Sequence, residues 1–187
     1  TDTRRGFVRG YTLHAHGSRP IEMAEGFCKA TDAPLWGSSF RHAMQDYNFY
    51  GRLKMVGEVL PAWTNHVALS DEKDQYGMPL ASMTFNYSDN DVKLLDHAVE
   101  NMKLILRAAG GEIAYVVPDT QHLMGGCRMG NDPTTSVVNS YGQSHDIPNL
   151  FICDASLFVS SSGSNPTLTV MALAARTADY IIDLASS

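Results

Sequence analysis

Hydrophobic and polar positions change rhythm several times along the chain, and each change predicts an element. Residues 9–16 alternate, with Tyr11, Leu13 and Ala15 on one side and Thr12, His14 and His16 on the other, which predicts a strand closed by a Gly17-Ser18 turn. Residues 20–29 read as a short helix and 38–48 as a second, capped by Ser38. Residues 53–60 and 66–69 look extended, and a polar loop over 71–77 leads into a further strand at 79–87. Together these strands predict an antiparallel sheet.

A longer period follows. Val92, Leu95, Val99, Met102, Leu106 and Ala109 recur at spacings of three and four, with Ser88-Asp89 as the N-cap and Gly110-Gly111 as the stop, so a helix is expected there. Residues 112–117 then resume a strand that Pro118 ends. From 119 to 163 the chain is rich in Gly, Ser, Asn and Asp, and loops dominate. Inside that stretch Leu150-Phe151-Ile152-Cys153 is an apolar run of the kind found in strands buried on both faces. A last helix is expected over 166–184, with Asn165 as N-cap and Pro166 at the first helical position.

A length of 187 residues suits one domain, or one with an appendage. Hydrophobic residues at 44% and charged residues at 18% fit a folded chain that should bury roughly 70% of its unfolded surface. The net charge of −6 repels phosphate backbones and anionic lipid head groups, so nucleic acid and membrane surfaces are disfavoured as partners. Asp154, Arg176, Asp179 and Asp183 interrupt the apolar stretches before they reach the ~20 residues of a membrane helix. The chain therefore reads as soluble, with the cytoplasm slightly favoured. Cys28, Cys127 and Cys153 are an odd count without a CxxC pair, which argues for free, mostly buried thiols. The start Thr1-Asp2-Thr3-Arg4-Arg5 has neither Met nor a signal-like apolar core, so a processed product or a fragment is expected.

Two segments could carry chemistry. The first is His122-Leu123-Met124-Gly125-Gly126-Cys127-Arg128-Met129-Gly130. His122 could satisfy a backbone carbonyl in a buried turn; equally it could act as a base at a cleft, since imidazole is the side chain that takes up a proton near neutral pH. Spacing alone leaves both open. The second is the small polar run 160–165 feeding Pro166-Thr167-Leu168-Thr169. It is an ordinary capped helix start or a cluster of unpaired N–H groups that stabilises negative charge on a bound group.

Read in order, the pieces form one pattern: His-x-x-Gly-x-x-Arg-Met-Gly from His122, Asp132-Pro133, Val137-Val138, Tyr141-Gly142, Asn149-Leu150-Phe151, Asp154-Ala155-Ser156 and Asn165-Pro166-Thr167-Leu168-Thr169. This closely resembles the C-terminal region of the glucose-methanol-choline (GMC) oxidoreductases, which are flavoproteins. The strong likeness spans 120–182, roughly a third of the chain; Asn65-His66-Val67-Ala68-Leu69-Ser70 and Tyr76-Gly77-Met78-Pro79 resemble the family's substrate-domain sheet more weakly.

The resemblance implies an α+β fold. Residues 1–118 would be a substrate-binding portion, an antiparallel sheet with helices. Residues 119–187 would hold the active-site loops and the C-terminal strand and helix of a Rossmann-like FAD-binding domain. It implies oxidation of a CH–OH group of an alcohol or sugar, with hydride passing to N5 of FAD, His122 as the base and Asn165 as its partner. An amide there donates to the developing alkoxide without titrating. Asp154 and Ala155 are expected against the ribityl and pyrophosphate portion of the cofactor. Asn165, Pro166 and Thr167 are expected near the pyrimidine edge, with Thr167 the better donor because Pro166 has no N–H.

One departure matters. No Gly-x-Gly-x-x-Gly turn occurs in the chain, so nothing here would hold the adenosine pyrophosphate. The expected partner is an N-terminal FAD-binding polypeptide of the same enzyme, without which these residues should not retain FAD. A small alcohol or sugar is the expected substrate, and a homo-oligomer is compatible with the reading. The alternatives are a catalytically silent structural subunit, which the retained His122 and Asn165 argue against, and a metal-binding module. The latter would use His14, His16, His122, Cys127 and Met129, a soft set suited to copper. Trp36 and Trp63 read as packing residues, with stacking on a sugar at a cleft wall as the alternative, and His145 as a surface residue in a polar turn. His42, His66 and His97 show no partner. Arg128 reads equally as a buried ion-pair residue or a ligand contact.

Overall fold

Residues 3–186 are described by the structure, a computed structural model. Their contacts gather into two compact units that interleave along the sequence. One comprises Gly10–Gly57 and Lys93–Thr120; the other comprises the stretch up to Arg9, Glu58–Val92, and the chain from Gln121 onward.

In the first unit, alternation produces β1 (Tyr11–Gly17), which pairs antiparallel with β2 (Gly51–Gly57), Tyr11 opposite Gly57 and Gly17 opposite Gly51. Helix α1 (Pro20–Thr31) opens on proline, whose missing N–H costs nothing at that position. It closes on Asp32 at φ 54°, whose N–H reaches the Cys28 carbonyl at 2.8 Å. Helix α2 (Ser38–Gln45) is capped by Gly37 at φ 95° and not by Ser38, which is already its first helical residue. Only glycine takes that φ without strain.

The expected strand at 112–117 does not form. The segment has no regular secondary structure, and residues 113, 115 and 117 are the more buried ones, so its alternation is real. Side chains use that face: the Tyr115 hydroxyl donates to Met23 Sδ at 3.1 Å, and a Cβ on Gly26 of α1 would lie 2.8 Å from the same oxygen. Alternation reports a half-buried segment, and a ladder needs a partner strand besides.

In the second unit, β3 (His66–Lys73) and β4 (Pro79–Thr84) form a hairpin, His66 opposite Thr84 and Lys73 opposite Pro79 across a bulge. Asp74 ties its turn by accepting from the N–H groups of Tyr76 and Met78, each at 2.9 Å. The single sheet expected from the sequence is thus two separate two-stranded ladders, one in each unit.

Helix α3 (Asp89–Ala108) starts at a reciprocal cap. Asp91 N–H reaches Ser88 Oγ at 3.3 Å, while Asp91 Oδ2 accepts from Ser88 N–H at 2.9 Å and from its hydroxyl at 2.7 Å. The most buried residues are Asp91, Leu94 and Ala98, beside the expected stripe, of which Leu95, Val99, Met102 and Leu106 are half-buried and Val92 is 45% exposed. Helix α4 (Thr167–Ser186) makes its first backbone bond from Val170 to the Pro166 carbonyl at 3.0 Å. Pro166 is therefore the cap and Asn165 lies one residue outside, because proline's fixed φ suits the extended cap as well as the first turn.

The apolar run 150–153 is not a strand buried on both faces. Phe151 makes one isolated bridge to Gln143, Leu150 is 45% exposed and Cys153 is exposed. Among the described residues no strand flanks it, so the Rossmann-like layer is not seen. Cys28 and Cys127 are half-buried, so the free thiols are less enclosed than expected. The buried apolar core is small, with Phe7, Met23, Leu94, Ala98, Val138 and Leu157. The chain exposes 13154 Å², about 1.5 times the roughly 8,900 Å² that size scaling gives for an independent globule of 20.5 kDa. The expected burial of roughly 70% is not reached.

Candidate active site

Asp154 organises the second unit's loop cluster locally. An aspartate two residues before a serine favours a tight turn, and here Asp154 Oδ1 accepts from Ser156 N–H at 2.8 Å and from Ser156 Oγ at 2.5 Å. These two bonds, the hydroxyl first, hold the Asp154 carboxyl below the usual carboxylate range. Oδ2 keeps its acceptor capacity. Ala155–Leu157 form one turn of 3-10 helix, anchored by Leu157 at 1% exposure.

The carbonyls of that turn hold the glycine-rich segment. Gly125, Cys127 and Met129 donate to Ala155, Ser156 and Leu157 at 3.1, 3.0 and 3.0 Å. The segment that carries His122 and the Asp154-Ala155-Ser156 segment thus lie side by side. Gly125 and Gly126 have φ 88° and 104°, a conformation open to glycine. A Cβ on Gly126 would lie 3.7 Å from Val67 of β3. His122 itself has φ 54°, in the left-handed region that histidine enters more readily than most residues but still at a cost. The residue is half-buried and its ring makes no side-chain hydrogen bond among the described residues. The reading in which it satisfies a backbone carbonyl does not hold.

Farther along, Tyr141 stacks on Tyr180 of α4 at 4.2 Å, with the Arg176 guanidinium 4.7 Å from the Tyr141 ring. Gly142 has φ 76°, and a Cβ there would meet the Ile152 carbonyl at 2.3 Å and Thr177 Oγ1 at 3.1 Å. The helix is thereby fixed to the loops. In the run that leads to α4, Ser161 Oγ accepts from Val59 N–H at 2.8 Å and donates to the Val59 carbonyl at 3.0 Å. Asn165 is exposed, and Thr167 and Leu168 follow with the free N–H groups of a helix start. No hydrogen bond among the described residues joins His122, Asp154 and Asn165 to one another.

Several expectations change here. His145 is half-buried, its Nε2 2.9 Å from Ser136 Oγ and 3.2 Å from the Gly130 carbonyl. His97 Nδ1 lies 2.8 Å from the Tyr11 hydroxyl, and His66 Nδ1 lies 3.0 Å from the Thr64 carbonyl. Trp36 and Trp63 are 75% and 77% exposed and pack little. Arg128 is exposed, with its guanidinium 5.6 Å from the centre of the Trp63 ring. Sequence reasoning missed that pair because 65 positions separate its members. It also missed Ser156, for which the Asp-x-Ser spacing was a usable signal. His14 and His16 stack at 6.1 Å, but among the described residues no three His, Cys, Asp or Glu side chains are placed to hold a metal ion. No helix among them is long and apolar enough to cross a membrane.

The chain is 38% identical over 191 residues to a 2-methyl-1,2-propanediol dehydrogenase of Mycolicibacterium austroafricanum, covering 97% of this chain and 34% of that protein. It is 35% identical over 184 residues to a gluconate 2-dehydrogenase flavoprotein of Pantoea cypripedii, covering 90% of this chain and 29% of that protein. It is 35% identical over 130 residues to the fructose dehydrogenase large subunit of Gluconobacter japonicus, covering 67% and 24%. The chain spans about a third or less of the length of these relatives. Residues 61–174 match the C-terminal domain of a flavin-dependent family, and this chain belongs to the GMC oxidoreductases.

Proposed function

We propose that the chain is the C-terminal part of an FAD-dependent oxidoreductase that oxidises a CH–OH group of an alcohol or sugar. The observation that carries this is His122, a half-buried histidine with a left-handed backbone and no hydrogen-bond partner among the described residues, on the segment stitched to Asp154-Ala155-Ser156. Such outliers collect at functional sites. The names of the three relatives specify a diol, a sugar acid and a sugar, each bearing hydroxyl groups.

The donor set fits a flavin. Asp154 offers the free Oδ2 to a ribityl hydroxyl, and Ala155 beside it is small enough for close approach. Asn165, Pro166 and Thr167 would meet the pyrimidine edge, where the Thr167 N–H and the positive end of α4 complement negative charge. Bound FAD supplies the hydride acceptor, N5. A ring nitrogen of His122 takes the hydroxyl proton, and the Asn165 amide donates to the same oxygen and fixes its orientation. In this reading residues 1–118 contribute to substrate binding and 119–187 to the active-site loops and the cofactor. The adenosine pyrophosphate is held by an N-terminal FAD-binding portion outside these residues. A further subunit is compatible with relatives named as a flavoprotein and as a large subunit.

The test is anaerobic addition of a vicinal diol or a hexose to the purified holoenzyme that carries this chain. Its flavin absorbance should bleach. A colourless enzyme that turns the alcohol over, or a flavin unmoved by CH–OH compounds that the enzyme consumes, would overturn the reading.

A further inference from the structure

We infer that Arg128 and Trp63 form a recognition element for a carboxylate on the substrate, so that the site favours hydroxy acids over neutral polyols. This deepens the proposed CH–OH oxidation and rests on it. Arg128 sits on the segment that carries His122, six residues on, at most about 20 Å of extended chain. The left-handed backbones of His122, Gly125 and Gly126 coil the stretch and shorten that reach. The guanidinium lies 5.6 Å from the Trp63 ring centre, within cation–π range. Among the described residues neither side chain is buried: Trp63 is 77% exposed and Arg128 is exposed.

Among the described residues Arg128 has no carboxylate partner. Arg52 and Lys54, by contrast, are both paired with acids. The placement follows from the backbone. Cys127 and Met129 point their N–H groups at Ser156 and Leu157, so positions 126 and 128 share the face that Val67 and Trp63 cover. A guanidinium laid against an indole keeps a planar edge of donors toward solvent and loses little freedom when it binds. That edge matches a carboxylate with two parallel hydrogen bonds, which a hydroxyl pair fills less well because it lacks the charge.

The experiment compares gluconate with glucitol, an acid and a neutral polyol of the same carbon number, as reductants of the flavin in the holoenzyme. Arg128→Gln should lower kcat/KM for gluconate about 10- to 100-fold, mainly through KM, and leave glucitol nearly unchanged. Arg128→Lys should fall between, since it keeps the charge without the fork. Trp63→Leu should weaken the acid preference and also spare glucitol. Propionate, which has no oxidisable hydroxyl, should compete with glucitol in the wild type, and Arg128→Gln should lose that inhibition. Equal loss for both substrates, or unchanged propionate inhibition in Arg128→Gln, overturns the inference and leaves the CH–OH reading standing. An enzyme whose flavin neither compound nor any other alcohol reduces overturns both.

Discussion

Gly142 shows how much one residue can decide. Its φ of 76° excludes most side chains, and a Cβ would sit 2.3 Å from the Ile152 carbonyl and press on Thr177, which is 4% exposed. Gly142→Ala must therefore move either the loop or α4, and should cost about 2–4 kcal/mol through backbone strain and overpacking together. A urea melt would show it as a lower midpoint; an unchanged midpoint would mean that the loop and helix are not locked together. His122 is a different case, a residue with a Cβ that takes φ 54°. Its identity was legible from the His-x-x-Gly spacing, whereas its backbone strain and its lack of a partner needed the structure. Arg128 was ambiguous in sequence, since its neighbour Trp63 lies 65 positions away.

Among the elements, α3 was legible from its three- and four-residue spacing and from Ser88, and its expected stripe is half-buried from Leu95 to Leu106, yet the most buried residues, Asp91, Leu94 and Ala98, lie beside that stripe. The reason is the reciprocal cap, which uses a buried aspartate as a structural acceptor: Asp91 Oδ1 also takes the Leu60 N–H at 3.2 Å. Ser88→Ala should cost about 1 kcal/mol. Asp91→Ala should cost about 2–3 kcal/mol, because it strands the N–H groups of Leu60 and Ser88. Chemical denaturation of the two variants checks the order, and equal costs would contradict it.

In the other unit Arg52, Lys54 and Asp119 form a network, with Lys54 Nζ 2.8 Å and Arg52 3.7 Å from the Asp119 carboxylate. The hydrogen bond from Lys54 first, then the charges of Lys54 and Arg52, hold the Asp119 carboxyl below its usual range. A carboxyl lowered in the folded state stabilises above its unfolded value and loses that contribution as pH falls through the folded one. Thermal stability should therefore drop below about pH 4, and Asp119→Asn should flatten that slope. A slope identical in wild type and Asp119→Asn would count against the network. Residues 112–117 and 150–153 teach a related limit. Alternation or an apolar run reports which faces want burial, but the ladder depends on a neighbour that the segment itself does not encode.

For the whole molecule, surface is the telling quantity. The 13154 Å² exposed includes Leu69 and Met83 on the hairpin and Leu168 on α4, all more than 75% exposed. The chain spans about a third of the length of its relatives, and the proposed N-terminal FAD-binding portion would have such surface to cover. In the proposed holoenzyme His122 removes the hydroxyl proton. The most direct test of that step is the anaerobic rate of flavin reduction by substrate across pH, measured in the wild-type holoenzyme, His122→Ala and Asn165→Ala. The wild-type rate should fall as pH is lowered, because a protonated imidazole cannot accept the proton. His122→Ala should be slower by about 10²- to 10⁴-fold with the pH dependence gone and flavin still bound. Asn165→Ala should lose less and keep the profile, and since Pro166 is the helix cap its stability should be unchanged. A His122→Ala enzyme that reduces its flavin at near wild-type rate, with the pH profile intact, would contradict the account.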